Sequence, residues 1–347
     1  MPARNPVLNI IGKSNGVGLA RDLGLLASAL RASGYEVRVT TIDAEQARRR
    51  RSVWSGWQTR LALLRQRLQG GGAAASGVNL MLEHVWSQYL PEAHYNVVIP
   101  NPEWFDANDR KFLAHVDVVW AKTEVTGQIF DALRCSSLYI GFDSEDRYDS
   151  AVTRQRFFLH SAGKSSMKGT QRLLQVWARH PQWPKLLVLQ HKSNLESSGI
   201  VSANIELRLG YMQDDELKSL QNAALFHVCT SITEGWGHYI AEALSVGAVT
   251  ITVDAPPMNE LITAERGLLV PYSSTGKQRL ATTYLFDEAG LETAIEAAIA
   301  LDEAQCQRLS ANARTWFLRN KQAFPGRLQA AMGAYALEAM AASAPAQ

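Results

Sequence analysis

Apolar and polar positions along this chain alternate between two periods, one suited to buried strands and one to helices. Pro6-Val-Leu-Asn-Ile-Ile11 is a short apolar run that predicts a strand, and Gly12 to Gly18 predicts a loop. Leu19 to Ala32 carries helical spacing and stops at Gly34, and Tyr35–Thr40 predicts the next strand. Further strands are predicted at Asn79–His84, Tyr95–Pro100, Asp117–Trp120 and Ser137–Phe142. A polar stretch, Asp143 to Ser150, interrupts the pattern, which then restarts. Arg156–His160 predicts a strand, Gly163–Gly169 a loop and Thr170–Arg179 a helix. Strands follow at Leu186–Gln190, Ile205–Leu209, Leu225–Cys229 and Ala248–Val253, and a last helix covers Phe324–Ala342. Strand–helix alternation in two blocks predicts an α/β protein with two doubly wound parallel sheets. The domains are placed at 1–148, with a basic insertion at 44–77, and at 149–322, with a helical tail at 323–347.

Composition narrows this picture. The chain has 347 residues, long enough for two domains, and 46% hydrophobic content supplies their cores. A net charge of +2 excludes a nucleic-acid binder that relies on overall charge. Cys135, Cys229 and Cys306 are odd in number, far apart and without metal-ligand spacing, which fits a reducing compartment. The first residues, Met1-Pro-Ala-Arg-Asn-Pro6, lack the apolar core of a signal peptide, and no run reaches membrane-span length. The expected location is cytoplasmic, peripheral at the inner face of the membrane if the basic insertion binds lipid.

The most specific chemistry lies in Ser231-Ile-Thr-Glu-Gly-Trp-Gly-His-Tyr-Ile-Ala-Glu242-Ala-Leu-Ser-Val-Gly247. A buried strand, a Gly-x-Gly turn and a helix start together direct backbone N–H groups at one point, an anion site. Glu234 stands in the turn and Glu242 about one turn into the helix. That arrangement suits a ligand with a phosphate in the middle and hydroxyls at both ends. Glu-Gly-Trp-Gly-x4-Glu-Ala-Leu-Ser-x-Gly resembles the signature of the family 4 retaining glycosyltransferases, also called glycosyl transferases group 1. The resemblance implies the GT-B fold, two Rossmann-like domains facing a central cleft, with acceptor on the N-terminal and nucleotide-sugar donor on the C-terminal side. It also implies that the C-terminal helix packs back on the N-terminal domain. By the same resemblance Glu234 contacts the donor sugar, and Gly235, Trp236, Gly237 and His238 approach the sugar and diphosphate. Glu242 then holds the ribose, and Asn259 and Glu260 line the phosphate loop.

The loop Ser161-Ala-Gly-Lys164-Ser-Ser-Met-Lys168-Gly169 contains Gly-Lys-Ser, but Phe158 stands where a phosphate-binding P-loop needs its first glycine. In the resembled family this loop carries an Arg and then Lys-Gly. Lys168-Gly169 matches the second element and the Arg is missing, so Lys164 or Lys168 is expected to supply the positive charge. Breaking a sugar–phosphate bond places negative charge on the leaving diphosphate, and fixed cations and helix N-termini stabilise it. No Asp-x-Asp, Cys-x-x-Cys or His-x-x-x-His occurs, so no metal and no cofactor is expected beyond the nucleotide-sugar as co-substrate. In the N-terminal half, Gly16 and Gly18 form a glycine loop of the kind that faces the donor in this family. Asn101 and Glu103 are the polar candidates at a strand end where the family places a His, and Lys122 follows the next strand.

Residues 48–68 hold seven arginines, and no acid occurs between Glu45 and Glu83. Trp57, Leu61, Leu64 and Leu68 recur at helical spacing, and Gly70–Gly77 forms a tether. Three readings stay open: a membrane-surface anchor, a phosphate-backbone tracker with stacking Trp residues, or a core helix with a solvated arginine face. The expected activity is metal-independent, retaining transfer of a sugar from a nucleotide sugar to a glycan or lipid-linked acceptor. A glycosyltransferase acting on a modified nucleic-acid base, a GT-B epimerase and a non-catalytic sugar-nucleotide binder are the alternatives.

Overall fold

The computed structural model describes residues 6–13, 18–49, 53–68, 76–191 and 202–343. The chain folds into two compact units. Unit 1 contains the chain up to Asp143 together with Lys321 onward, and unit 2 runs from Ser144 to Asn320.

Unit 1 is built from β1 (Leu8–Lys13), α1 (Gly18–Ala32), β2 (Val37–Ile42), α2 (Ala44–Arg49) and α3 (Val53–Leu68). It continues with β3 (Ser76–Glu83), β4 (Ala93–Pro100), α4 (Ala107–Phe112), β5 (Val118–Ala121), α5 (Glu124–Ala132) and β6 (Ser137–Tyr139). Its six strands are parallel in the order β2-β1-β3-β4-β5-β6. Leu8, Ile10, Leu80, Val97 and Val119 are fully buried, as expected where both faces of a parallel sheet are covered. Three asparagines interrupt these apolar runs in one register. Asn9 Nδ2 donates to Asn79 Oδ1 at 3.3 Å, and Asn79 Nδ2 donates to Asn96 Oδ1 at 3.0 Å. This ladder ties β1, β3 and β4 together without leaving a buried amide unmet.

Unit 2 starts with β7 (Gln155–Gly163), α6 (Thr170–Ala178), β8 (Leu186–Gln190), β9 (Ile205–Leu209) and α7 (Asp214–Ala223). β10 (Ala224–Cys229), α8 (His238–Ser245), β11 (Val249–Val253), α9 (Met258–Leu261) and β12 (Gly267–Val270) follow. An antiparallel hairpin, β13 (Tyr272–Gln278) and β14 (Ala281–Phe286), then leads into α10 (Glu288–Ala300) and α11 (Glu303–Ser343). The six main strands are parallel in the order β12-β11-β10-β7-β8-β9. Phe158 of β7 stacks on Phe226 of β10 with centroids 4.6 Å apart and meets Trp177 of α6 edge-on.

Each sheet reverses its winding once. In unit 1 the chain leaves β1 for β2 on one side and returns to β3 on the other. In unit 2 it leaves β7 for β8 and β9 and returns to β10. The strand ends at these switch points are where open α/β sheets bind ligands.

The fold corrects three expectations. The final helix starts at Glu303 and runs through Pro325, well before the expected Phe324. Its residues to Asn320 belong with unit 2, and from Lys321 on with unit 1. There, Phe324 meets Phe142 at 5.3 Å and Lys321 pairs with Asp143 at 2.8 Å. β12 and the hairpin β13–β14 lie where the apolar pattern predicts no element. The row Trp57, Leu61 and Leu64 on α3 is 60%, 49% and 54% exposed, so it is no core stripe; the side chain of Leu68 lies outside the described residues.

Candidate active site

The switch point of unit 2 brings together the two most specific sequence features. Lys168 follows β7, and Glu234 follows β10, strands that are direct neighbours in the sheet. The Lys168 Nζ forms an ion pair and hydrogen bond with Glu234 Oε1, with the side chains 12% and 13% exposed. Each partner is held from behind. The ammonium sits 3.7 Å from the centroid of the Tyr239 ring, a cation–π contact. Ser231 Oγ hydrogen-bonds the same Glu234 oxygen and lies 2.6 Å from the Tyr239 hydroxyl. Burial pushes the Tyr239 phenol well above its ordinary range, so it stays a neutral hydroxyl.

Backbone bonds hold the two loops in register. Thr230 Oγ1 donates to the Lys168 carbonyl at 2.9 Å, and the Ile232 amide donates to the Met167 carbonyl at 2.9 Å. From the other side, the Tyr284 amide of β14 donates to the Ile232 carbonyl at 2.7 Å, so the unforeseen hairpin buttresses the Glu234 loop. Gly169 allows this closeness. It has φ +67, and a Cβ there would come within 2.5 Å of the Thr230 carbonyl oxygen. Gly237 has φ +96 at the start of α8. The two glycines thus open α6 and α8, whose first-turn amides lack intrahelical acceptors.

The remaining sequence candidates fall in distinct places. Lys164 is exposed on the loop, four residues from the pair formed by Lys168. Gly235 and Gly237 are buried in the turn. Trp236 is 4% exposed and its Nε1 donates to Ser144 Oγ at 3.1 Å, so its ring anchors the turn. His238 Nδ1 meets the same Ser144 hydroxyl at 2.8 Å. Glu242 is 4% exposed and accepts from Gln221 Nε2 at 2.7 Å. Gln221 in turn accepts from the buried Arg147 at 3.0 Å. Asn259 donates to Asp254 Oδ1 at 3.1 Å, and the Glu260 carbonyl accepts from Arg266. Ser231, Tyr239, Gln221 and Arg147 are additions that sequence reasoning missed. The first two lie inside the quoted motif, and only the fold distinguishes them from its spacer positions.

In unit 1, Asn101 and Glu103 follow β4, and Lys122 follows β5. Lys122 is 3% exposed, paired with Asp22 of α1 at 3.0 Å and 5.0 Å from the Phe142 ring. Gly16 lies outside the described residues, and Gly18 opens α1. His84, Asp106 and Asp109 bring metal-ligand atoms within 4.8 Å of one another. Their carboxylates are committed to the backbone. Asp106 caps α4, and Asp109 accepts from the Asp106 and Val85 amides. This cluster therefore reads as a fold element.

A cavity of about 380 Å³ opens elsewhere in unit 2, where β7, β10 and β11 begin. Its lining arginines, Arg154 and Arg314, donate to the carbonyls of Ser245, Val246 and Gly247 at the end of α8. Its size does not make it the reactive site, because its cations are spent on that helix end.

Two parallel six-stranded sheets, the second with a charged pair at its switch point, define a protein of the GT-B fold class. Residues 144–316, nearly all of unit 2, match the family described as glycosyl transferases group 1, and unit 2 belongs to that family. A GDP-mannose:cellobiosyl-diphosphopolyprenol alpha-mannosyltransferase from Xanthomonas oryzae pv. oryzae is 31% identical over 177 residues. That stretch is 46% of this chain and 46% of the relative, so the likeness spans about half of either protein. Among solved structures, a glycosyltransferase from Rickettsia africae superposes with a TM-score of 0.67 at 13% identity, covering 96% of this chain and 98% of that one. Anabaena HepE, solved with UDP and glucose, superposes with a TM-score of 0.65 at 14% identity, covering 95% and 100%. At these identities the structures establish the shared fold.

Proposed function

We propose that the chain transfers a sugar from a nucleotide-sugar donor to a glycan or lipid-linked acceptor, with retention at the anomeric carbon and without a metal ion. The observation that carries this reading is the Lys168–Glu234 pair between the starts of α6 and α8. In this arrangement each charge neutralises the other. A donor diphosphate offers Lys168 a stronger partner, and the amides of both helix starts add donors to the same anion. Glu234 is then released from Lys168 and accepts hydrogen bonds from sugar hydroxyls, with Ser231 still holding it in place. As the sugar–phosphate bond breaks, negative charge builds on the oxygen nearest Lys168, where fixed charge lowers the barrier most.

The Xanthomonas relative names a mannosyl donor and a polyprenol-linked acceptor, and HepE was solved with UDP and glucose. The test is therefore incubation with radiolabelled GDP-mannose and UDP-glucose together with a polyprenyl-diphosphate-linked cellobiose. Label from one donor should enter the organic phase, in the presence of EDTA as well. Donor consumption without acceptor would favour the epimerase, and binding without consumption the sugar-nucleotide sensor.

A lipid-linked acceptor is further supported by α3. Trp57, Leu61 and Leu64 project an exposed apolar row, with Arg60 and Arg65 exposed beside it. Thr59 is buried, and Gly56 faces Phe112 on the inner side. An apolar ridge flanked by arginines suits an anionic bilayer surface, where each arginine contributes about 1 kcal/mol. Among the described residues, no helix is long and apolar enough to cross a membrane. The protein should float with vesicles containing phosphatidylglycerol, and a Trp57→Ser, Leu61→Ser, Leu64→Ser variant should stay in the soluble fraction. Equal flotation of both would remove α3 from the reading.

A further inference from the structure

Unit 1 repeats the topology that brings Lys168 and Glu234 together in unit 2. Its switch point lies between β1 and β3, and Glu83 is the last residue of β3. In an open parallel sheet this is the crevice that takes a ligand. Glu83 turns the chain there with φ +65, a left-handed backbone that favours glycine. Its side chain is only 14% exposed.

The surroundings of Glu83 are those of a built site. His84 Nε2 lies 3.5 Å from a Glu83 oxygen. The other ring nitrogen, His84 Nδ1, is 2.9 Å from Oδ2 of Asp109, which is fully buried and fixed by the Val85 amide. Asn101 follows Pro100, the register partner of Glu83 at the end of β4, and its side chain lies beside the Glu83 carboxylate. Asn101 has a buried Oδ1 with no hydrogen-bond partner among the described residues. Lys122 and Asp22 act on the Glu83 charge from β5 and α1, and they are paired with each other. Two hydrogen-bond acceptors, the Glu83 carboxylate and Asn101 Oδ1, therefore stand at adjacent strand ends. Such a pair calls for a ligand that offers adjacent donors, as neighbouring sugar hydroxyls do.

We propose that Glu83, with Asn101 beside it and His84 and Asp109 orienting it, binds the hydroxyls of the acceptor sugar on unit 1. This inference rests on the glycosyl-transfer reading above. The ionised carboxylate accepts from the hydroxyls and fixes the acceptor ring. Burial raises the Glu83 carboxyl above the ordinary carboxylate range, with Asp22 adding to the rise and His84, Lys122 and the neighbouring Asn101 side chain opposing it. Ionised Glu83 is thus present above its raised pKa and is lost as pH falls through it. For stability the sign is opposite, because a buried ionised carboxylate opposes folding at neutral pH.

The test compares wild type with Glu83→Gln, using GDP-mannose and polyprenyl-diphosphate-linked cellobiose from pH 4.5 to 8. The acceptor KM should rise by about ten- to a hundredfold, the range for losing a hydrogen bond to a charged group. The acid limb of the acceptor kcat/KM should disappear, donor Kd should stay unchanged, and Tm at pH 8 should hold or rise. Unchanged acceptor kinetics with the acid limb intact would overturn the proposal and leave glycosyl transfer standing. A fall in Tm with equal losses of donor and acceptor binding would mark a purely structural role and overturn it too. If wild type consumes no nucleotide sugar, both readings fall together.

Discussion

Exchanging Lys168 for methionine, which keeps most of the side-chain length and removes the charge, should lower sugar transfer by about a hundred- to a thousandfold. That is the loss typical of one preorganised group that stabilises a developing negative charge. The expectation follows from how much structure is spent on one ammonium. Its main chain is held by Thr230, its charge by Glu234 and its face by the Tyr239 ring. Glu234→Gln should fall similarly, since a neutral amide is a weaker acceptor for sugar hydroxyls. Each single change also leaves a largely buried charge without its partner, so both should lower stability. The double variant distinguishes the two effects. Lys168→Met with Glu234→Gln removes both charges, so it should recover much of the lost stability while staying inactive. Recovery of activity along with stability would mean that the pair only holds the fold.

The second large effect is loss of unit 2 stability in mild acid. His160 of β7 and His227 of β10 are 0% and 3% exposed. His160 Nδ1 donates to the Val228 carbonyl at 2.7 Å while Nε2 accepts from Thr170 at 2.9 Å, an arrangement that needs the neutral ring. His227 Nε2 donates to the Gln221 carbonyl at 3.0 Å. Burial pushes both imidazoles down to about 4, against the ordinary 6.5. Folded pKa values below the unfolded value contribute stability that is complete above pH 6.5 and lost as pH falls toward 4. A depression of this size corresponds to roughly 3 kcal/mol for each ring. Urea unfolding at pH 7 and pH 4.5 should therefore differ by several kcal/mol, with proton uptake on unfolding. A midpoint that does not move between these values would contradict the assignment of both rings as neutral.

The strand–helix alternation was legible because parallel strands buried on both faces read as continuous apolar runs. The Glu234 turn was legible because Gly235 and Gly237 break the pattern between a buried strand and a helix start, with a glutamate on either side. Lys168 stood out through the glycine behind it, and the structure shows why that glycine is there: Thr230 leaves no room for a Cβ. Other features depend on distant contacts. β13 is polar and almost wholly exposed and β14 is mostly half-buried, so their sequence carries no alternation strong enough to declare a hairpin. Pro325 suggests a helix start, yet α11 continues through it, anchored by Phe317 on one side and Phe324 on the other. Trp57, Leu61 and Leu64 have the spacing of a core stripe, and only the fold shows that this face points outward. Glu83 ends an ordinary-looking strand, and its setting comes from residues 61 positions upstream and 39 downstream, Asp22 and Lys122.

The most direct test of the central claim is calorimetric titration of wild type and Lys168→Met with GDP and with UDP. One nucleoside diphosphate should bind wild type in a single site, and the variant should bind it at least about tenfold more weakly, the loss expected for one charge-assisted contact. Equal binding of that nucleotide by both proteins, or no binding of either nucleotide to wild type, would contradict the assignment of Lys168 and Glu234 as the donor site.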